Sequence, residues 1–428
     1  MRNTDYFKNK KITIIGLGRS GIASANLLYD LGSDVYVSDN QDNEITRLNL
    51  KKLKSKKIKV ELGVHSQEFI KNKDLVVVSP GVNNKSPIFS WAREFNIPVI
   101  SEIELGWILC PGKIIAITGS NGKTTVTTLV GKILEKAKKR VFVCGNIGKP
   151  FTEEVSKIKE KDYVSLEVSS FQLEMIDKFK PEISVILNLT YNHLDRYSNL
   201  EEYFKAKKRI YMNQDENDYL VLNYDEPLLK ECAKETRSKV IYFSESKEFN
   251  SNQAAVLAIG EILRIDKDLI LDVFQEFKGI PHRLEFVGKI NDISFINDSK
   301  STTATSTLWA LKNITGKIIL IAGGKDKGTN YSLILDIAKK KVKKIILIGQ
   351  AKEKIKSALY EFSAITEANT LEEAVFKAFS YAEKGDFILL SPMCSSFDMF
   401  RDYEERGEIF KKIVYKIIRN KNRNLCVR

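Results

Sequence analysis

Histidine and cysteine are scarce in this chain, three and five residues among 428. The cysteines, Cys110, Cys144, Cys232, Cys394 and Cys426, stand singly without CxxC or CxxxC spacing. That excludes an ordinary zinc-ligand pattern and a disulfide framework, and an odd count fits reduced thiols. Long apolar runs are missing too. None reaches the ~18 residues that span a bilayer, and the opening MRNTDYFKNKK lacks the apolar centre of a signal peptide. A cytoplasmic protein with no membrane insertion is expected. Close repeats and low-complexity linkers are also absent, so domain limits must be read from pattern.

What is present is 43% hydrophobic content over a length sufficient for two or three cores, and a net charge of +13. The basic residues lie in stretches such as KKLKSKKIK, KAKKR and KKKVKK without interleaved aromatics. They read as solvated helix faces, so no nucleic-acid partner is expected, while a small anionic substrate remains compatible.

The pattern is α/β throughout. KKITIIG, DVYVSD and DLVVVSPGV read as strands, with GIASANLLYDLG as a helix after the first. This predicts a Rossmann-like domain over residues 1–100. A second block, 101–280, starts with the strand, loop and helix of GKIIAITGSNGKTTVTTLVGKIL. It continues through the strands RVFVCGN, DYVSLEVSS, EISVILNLT, DYLVLNY and KVIYFS, which favours a central domain with a largely parallel sheet. A third, 281–428, carries DISFINDS, KIILIAGG, KKIILIG and DFILLSP. Between them lie the helical patterns TSTLWALKNI, SLILDIAKKK, AKEKIKSALYEF and LEEAVFKAFSYA. It is expected to be a second Rossmann-like domain.

Two glycine loops carry chemistry. In GLGRSG, Gly16, Gly18 and Gly21 permit a tight turn and close backbone approach to a phosphate, and Asp39 sits where a ribose-binding acid would stand. A dinucleotide site, another nucleotide diphosphate and a plain packing turn all fit. TGSNGKTT, Thr118 to Thr125, is more specific. Between a strand and a helix it supplies backbone N–H groups, Lys123 for a triphosphate and Thr124 for Mg²⁺. Ile117 takes the first glycine position of the full phosphate-loop motif, leaving the shorter GxxGK[ST]. Glu167 after YVSL, and His193 with Asp195 after VILNLTYN, are candidate hard-cation ligands at strand ends.

Taken together, TGSNGKTT, LEVSSFQLE, NLTYNHLDRY, YFKAKKRIY, GIPHRLE, INDSKSTT, AGGKDKG and LSPMCSSFD resemble the Mur ligases, the ATP-dependent amide-forming enzymes of peptidoglycan precursor synthesis. The resemblance runs from the first glycine loop to the last helix and is nearest to the glutamate-adding branch. It implies a monomer of three domains, for the UDP-sugar, for ATP and for the incoming amino acid. The substrates would be UDP-N-acetylmuramoyl-L-alanine, ATP with Mg²⁺, and D-glutamate. The first loop then receives UDP instead of NAD, through Gly18, Arg19, Ser20, Asp39 and Asn40, with Ser79, Pro80 and Asn146 lining the same substrate.

The resemblance also implies an ATP site of Gly119, Ser120, Asn121, Gly122, Lys123, Thr124 and Thr125, with Asn252, Arg283, Asp298 and Lys300. Asp298 would bind ribose, and Lys300 and Arg283 would approach the phosphates. Mg²⁺ would be held by Thr124, Glu167, His193 and a carbamylated Lys207, the lysine of YxxAK. The catalytic set is then Lys123, Glu167, His193, Lys207 and Lys300. Thr302, Lys327, Ser396, Phe397 and Tyr403 would hold D-glutamate, Tyr403 replacing an expected phenylalanine. One departure concerns KVIYFSESKEFNSNQAAVLA, which passes almost directly from strand to helix where the family has further strands before HNxxN. Asn252 matches the second asparagine and Asn250 only loosely the first. Folylpolyglutamate synthases, non-catalytic nucleotide sensors and NAD-dependent oxidoreductases are the competing classes. GLGRSG argues against the first.

Overall fold

The computed structural model describes residues 1–83, 85–189, 197, 199–326 and 328–425. It divides into two compact units, Met1–Phe277 and Lys278–Arg428. The first unit contains two sheets. Strands β1 (Lys11–Ile15), β2 (Asp34–Asp39), β3 (Lys59–Leu62), β4 (Leu75–Val78) and β5 (Val99–Ser101) are ordered β3-β2-β1-β4-β5. Every pairing is parallel. The central strands ITII and LVVV are buried over their whole length, as a parallel sheet covered on both faces requires.

The second sheet takes β6 (Lys113–Thr118), β7 (Val141–Gly145), β8 (Tyr163–Glu167), β9 (Ile183–Ile186), β10 (Tyr219–Asn223) and β11 (Lys239–Phe243) in the order β11-β10-β9-β6-β8-β7. It too is parallel throughout. One apolar cluster, from Phe7 through Leu105 and Phe151 to Cys232, runs through both sheets, which is why they form one unit. Two buried carboxylates fasten the junction. Glu102 accepts from Thr152 N and Oγ1 at 2.7 and 2.9 Å, and Glu104 accepts from the N–H groups of Asp177, Lys178 and Phe179.

In the second unit β12 (Glu285–Ile290), β13 (Ile293–Asn297), β14 (Ile318–Gly323), β15 (Val342–Ile348), β16 (Ile365–Glu367) and β17 (Phe387–Leu390) are ordered β12-β13-β17-β14-β15-β16. Only the β12/β13 pair is antiparallel. Apolar clusters lie on both faces of this sheet.

Four strands escape sequence reading, β3, β5, β12 and β16. All are edge strands, none is buried along its whole length, and none carries a long apolar run. The single helix read in SLILDIAKKK is a 3-10 turn, Tyr331–Ile334, followed by Leu335–Lys341. Asn330 caps that turn by accepting from Ser332 N. No helix among the described residues is long and apolar enough to cross a membrane.

Candidate active site

In an open parallel sheet, ligands collect at the carboxyl ends of strands where the order reverses. In the first sheet this point lies between β1 and β4, and a cleft of about 690 Å³ opens there. Its walls include Gly18, Arg19, Ser20, Asp39, Asn40, Ser79 and Pro80. Gly16 has φ +92°, and a side chain on Gly21 would overlap the Gly16 carbonyl oxygen. The turn therefore needs both glycines, whereas Gly18 has open space around it and precedes the helix Arg19–Asp30. Asp39 accepts from Leu17 N at 2.7 Å and from Gln41 N at 2.9 Å, so its carboxylate braces the glycine turn. Arg19 reaches across to donate to Gly148 O at 3.3 Å, in the loop that carries Asn146.

The second loop leaves β6 at Thr118. Gly119 and Gly122 have φ +153° and +80°, a conformation that side chains oppose. Gly122 caps the helix Lys123–Lys136, whose first turn is Lys123, Thr124 and Thr125. The N–H groups of a helix's first turn have no partner within the helix and are placed to meet an anion. Lys123 Nζ curls back onto the carbonyls of Gly119 and Ser120 at 2.9 and 3.1 Å. Asn188, after β9, clamps the loop in both directions. Its Oδ1 accepts from Asn121 N at 2.8 Å, its Nδ2 donates to Asn121 O at 3.2 Å, and its carbonyl accepts from Ser120 N. Tyr203 OH lies 3.3 Å from Ser120 Oγ.

Lys207 is 1% exposed, and its Nζ donates to Thr118 Oγ1 at 3.3 Å and Gly119 O at 3.0 Å over the Tyr203 ring. Burial holds its pKa well below the usual lysine range. Lys123 pushes the same way, against Glu167. Glu167 ends β8, where Oε1 accepts from Asn146 Nδ2 at 2.8 Å. Its Oε2 is buried with no hydrogen-bond partner among the described residues. A buried carboxylate oxygen left unmatched on the strand paired with the one that runs into the phosphate loop is a donor that a hard divalent cation takes. The residues present therefore fit Mg²⁺, although no group of three His, Cys, Asp or Glu side chains gathers among the described residues. His193 and Lys327 lie outside those residues.

Helix Ser251–Ile262 explains the two asparagines of the shortened segment. Asn250 is its N-cap, exchanging bonds with Gln253 in a capping box. Asn252 instead lies against the phosphate loop, its Oδ1 filling the space a Gly122 side chain would need.

In the second unit the loops after β13 and β17 carry Asp298, Lys300, Thr302, Ser396 and Phe397, and Tyr403 opens the last helix. Asp298 is 2% exposed, accepting from Leu284 N at 3.2 Å and Ser391 Oγ at 2.7 Å. Burial pushes its pKa up to about 6. Its carboxylate faces inward and organises the turn that presents Lys300, whose Nζ lies 5.8 Å from the Tyr403 ring centre. Thr302 N donates to Lys300 O within that turn. Arg283 lies over Trp309 at 5.9 Å. Ser396 is buried and Phe397 exposed. Fully buried Arg406 ties the two loops together, donating to Ser299 Oγ and O and to Cys394 O. His282, at φ +63° and buried, packs on Gly407 and meets Asn297 Nδ2 at 2.9 Å.

Sequence reading missed Asn188, Tyr203, Arg406 and His65, the last lining the first cleft. Tyr203 alone had a signal, as the tyrosine of YxxAK.

Fold and loop together define a nucleotide-binding protein of the phosphate-loop type, built from three α/β domains. Comparison with known proteins narrows this. Residues 10–101 match the family model for the Mur ligase MurD-like N-terminal domain, 117–291 the Mur ligase middle domain, and 282–394 the Mur ligase glutamate ligase domain. A protein of Caldanaerobacter subterraneus subsp. tengcongensis is 38% identical, covering 96% of this chain and 99% of its own. One of Caldicellulosiruptor bescii is 41% identical, covering 96% and 98%. Both are named UDP-N-acetylmuramoylalanine--D-glutamate ligase. The crystal structure of UDP-N-acetylmuramate-alanine ligase MurC from Thermotoga maritima shares the fold with a TM-score of 0.60 at 20% identity, covering 95% of this chain and 99% of that one. The chain belongs to the Mur ligase family.

Proposed function

We propose that this chain catalyses the ATP-dependent addition of D-glutamate to UDP-N-acetylmuramoyl-L-alanine, in peptidoglycan precursor synthesis, through an acyl phosphate. The observation that carries the reading is the meeting of Lys123, buried Lys207 and the half-satisfied Glu167 at one phosphate loop. The match to ligases of that name along nearly the whole chain supports it.

A carboxylate is a poor acyl donor. Its oxygen first attacks the γ-phosphorus of ATP, releasing ADP and leaving an acyl phosphate. The amine of D-glutamate then attacks the acyl carbon, phosphate departs with the bonding electrons, and the amine loses a proton. Both steps bring anions together, so charge neutralisation and alignment supply most of the acceleration. Lys123 leaves the Gly119 and Ser120 carbonyls to meet the β- and γ-phosphates, while the N–H groups of Gly122 to Thr125 hold them. Asn252 and Asn188 keep the loop in shape from either side.

Thr124, Glu167, His193 and Lys207 as its carbamate are the residues assigned to Mg²⁺, which when bound supplies positive charge to the phosphates. Lys207 suits carbamylation because the neutral amine, the form favoured by its burial, is what adds to CO₂. Gly18, Arg19, Ser20, Asp39, Asn40, Ser79, Pro80 and Asn146 are assigned to the UDP-sugar. Arg283, Asp298 and Lys300 serve ATP, Asp298 by holding the Lys300 turn. Thr302, Lys327, Ser396, Phe397 and Tyr403 serve D-glutamate. We place the protein in the cytoplasm, as a monomer.

The test is phosphate release with ATP, Mg²⁺ and UDP-N-acetylmuramoyl-L-alanine, adding D-glutamate, L-glutamate or L-lysine in turn. Release with D-glutamate alone is expected. Release with L-lysine and not D-glutamate would move the chain to another branch of the family.

A further inference from the structure

The cleft of the first sheet holds a histidine to which the function above gives no role. His65 follows β3 and lines the cleft together with Asp39, Asn40 and Ser79. Its Nδ1 lies 2.7 Å from Ser38 Oγ. Ser38 has one hydroxyl proton, and its 2.6 Å contact with Glu61 Oε1 uses it, because a carboxylate only accepts. Ser38 Oγ must therefore accept from His65, which puts the ring proton on Nδ1. Glu61 is itself fixed by Ser66, whose N and Oγ donate to it at 3.1 and 2.6 Å. The tautomer is set by a chain of contacts that leaves no alternative for the neutral ring, and Nε2 then carries a lone pair. Among the described residues no donor meets Nε2. Burial lowers the imidazole pKa, more strongly than Asp39 and Glu61 raise it, so near pH 7 the ring is neutral and Nε2 accepts.

We propose that His65 reads the nucleoside of the substrate, its Nε2 accepting a hydrogen bond from a donor of the uridine group bound in this cleft. The inference rests on the reading of the cleft as the UDP-sugar site. Uridine offers two kinds of donor, the imide N3–H of uracil and the ribose hydroxyls. An acceptor held in one tautomer favours a ligand with a donor at that point over one with a second acceptor, which would face it lone pair to lone pair.

The probe is UDP alone, titrated calorimetrically into the full-length protein as wild type, His65→Gln and His65→Phe. Glutamine keeps an acceptor oxygen about as far from the backbone as Nε2, and phenylalanine keeps only the ring shape. We expect the phenylalanine variant to bind UDP about three- to tenfold more weakly, the range of one neutral hydrogen bond. The glutamine variant should stay within about twofold, and ATP affinity should be unchanged in both. Repeating the titrations with 3-methyl-UDP and 2′,3′-dideoxy-UDP identifies the donor. One analogue should bind wild type more weakly than UDP does, and that difference should vanish in His65→Phe. The proposal is overturned if His65→Phe binds UDP as wild type does, or if each analogue loses the same factor in wild type and variant. A wild type that binds no UDP would overturn the reading of the cleft itself, which separates the two failures.

Discussion

Gly122→Ala tests the geometry of the phosphate loop with a single methyl group. Gly122 has φ +80°, and an added Cβ would overlap Asn252 Oδ1 and sit 3.2 Å from Asn252 Cγ. The carboxamide is the free end of a short side chain and can swing aside, so the clash is relieved by displacing Asn252. The backbone strain is not relieved in that way. A left-handed alanine costs about 1–2 kcal/mol, and the loop sheds it by rotating out of that region, turning its N–H groups from the phosphate position. Restoring the geometry on binding costs the same energy again, which is about 5- to 30-fold in ATP affinity. Losing the Asn252 contact adds about 1 kcal/mol. If this is right, Asn252→Ala alone weakens ATP by roughly fivefold, and adding it to Gly122→Ala weakens ATP no further, because Asn252 has already been displaced. The assay is equilibrium binding of ATP to the two single variants and the double variant. Strict additivity, or normal affinity in Gly122→Ala, would refute the reasoning.

Other substitutions probe other parts of the site. Asn188→Ala removes a two-way clamp on Asn121 and should raise the KM for ATP about tenfold with the KM for the UDP-sugar unchanged, as read by steady-state kinetics. Lys207→Arg keeps a basic side chain of similar reach but cannot carry a carbamate, so kcat should fall by at least ~10² while ATP still binds. Asp298→Asn tests a buried acid whose folded pKa is raised to about 6. A raised carboxyl pKa means that the folded state holds the proton more tightly. Its stability contribution therefore falls as pH rises from about 4 to 6, and the full penalty, about 3 kcal/mol from the ~2-unit shift, is present above pH 6. Relative to wild type, the asparagine variant should gain stability between pH 4 and pH 7 in urea unfolding, and a constant difference would contradict this.

The strands read most directly from the sequence are those buried on both faces, although the part-buried edge strands β7 and β11 were read as well. LVVV and IILI need no partner to be recognised, because the apolar run itself signals two covered faces. The edge strands β3, β5, β12 and β16 are short or covered on less of their surface and carry no such run. Within the site, Gly119 and Gly122 were legible because left-handed backbone leaves a residue signature. Asn188 was not, since its partner Asn121 is 67 residues away and an asparagine after a strand has many uses. His65 was hidden for the same reason, its tautomer being set by Ser38 on the neighbouring strand. Asn250 and Asn252 show the limit from the other side. Both stand in one short stretch, and only the fold separates the helix cap from the residue against the loop.

The account turns on an acyl phosphate formed from the substrate carboxylate, and an isotope experiment addresses that step directly. UDP-N-acetylmuramoyl-L-alanine labelled with ¹⁸O in the alanyl carboxylate is turned over with ATP, Mg²⁺ and D-glutamate, and the released phosphate is weighed by mass spectrometry. Activation through the carboxylate oxygen predicts one ¹⁸O in each phosphate formed, together with an equal amount of D-glutamyl product. Unlabelled phosphate accompanying that product would contradict the mechanism, and labelled phosphate formed equally well with L-glutamate would contradict the assigned amino acid.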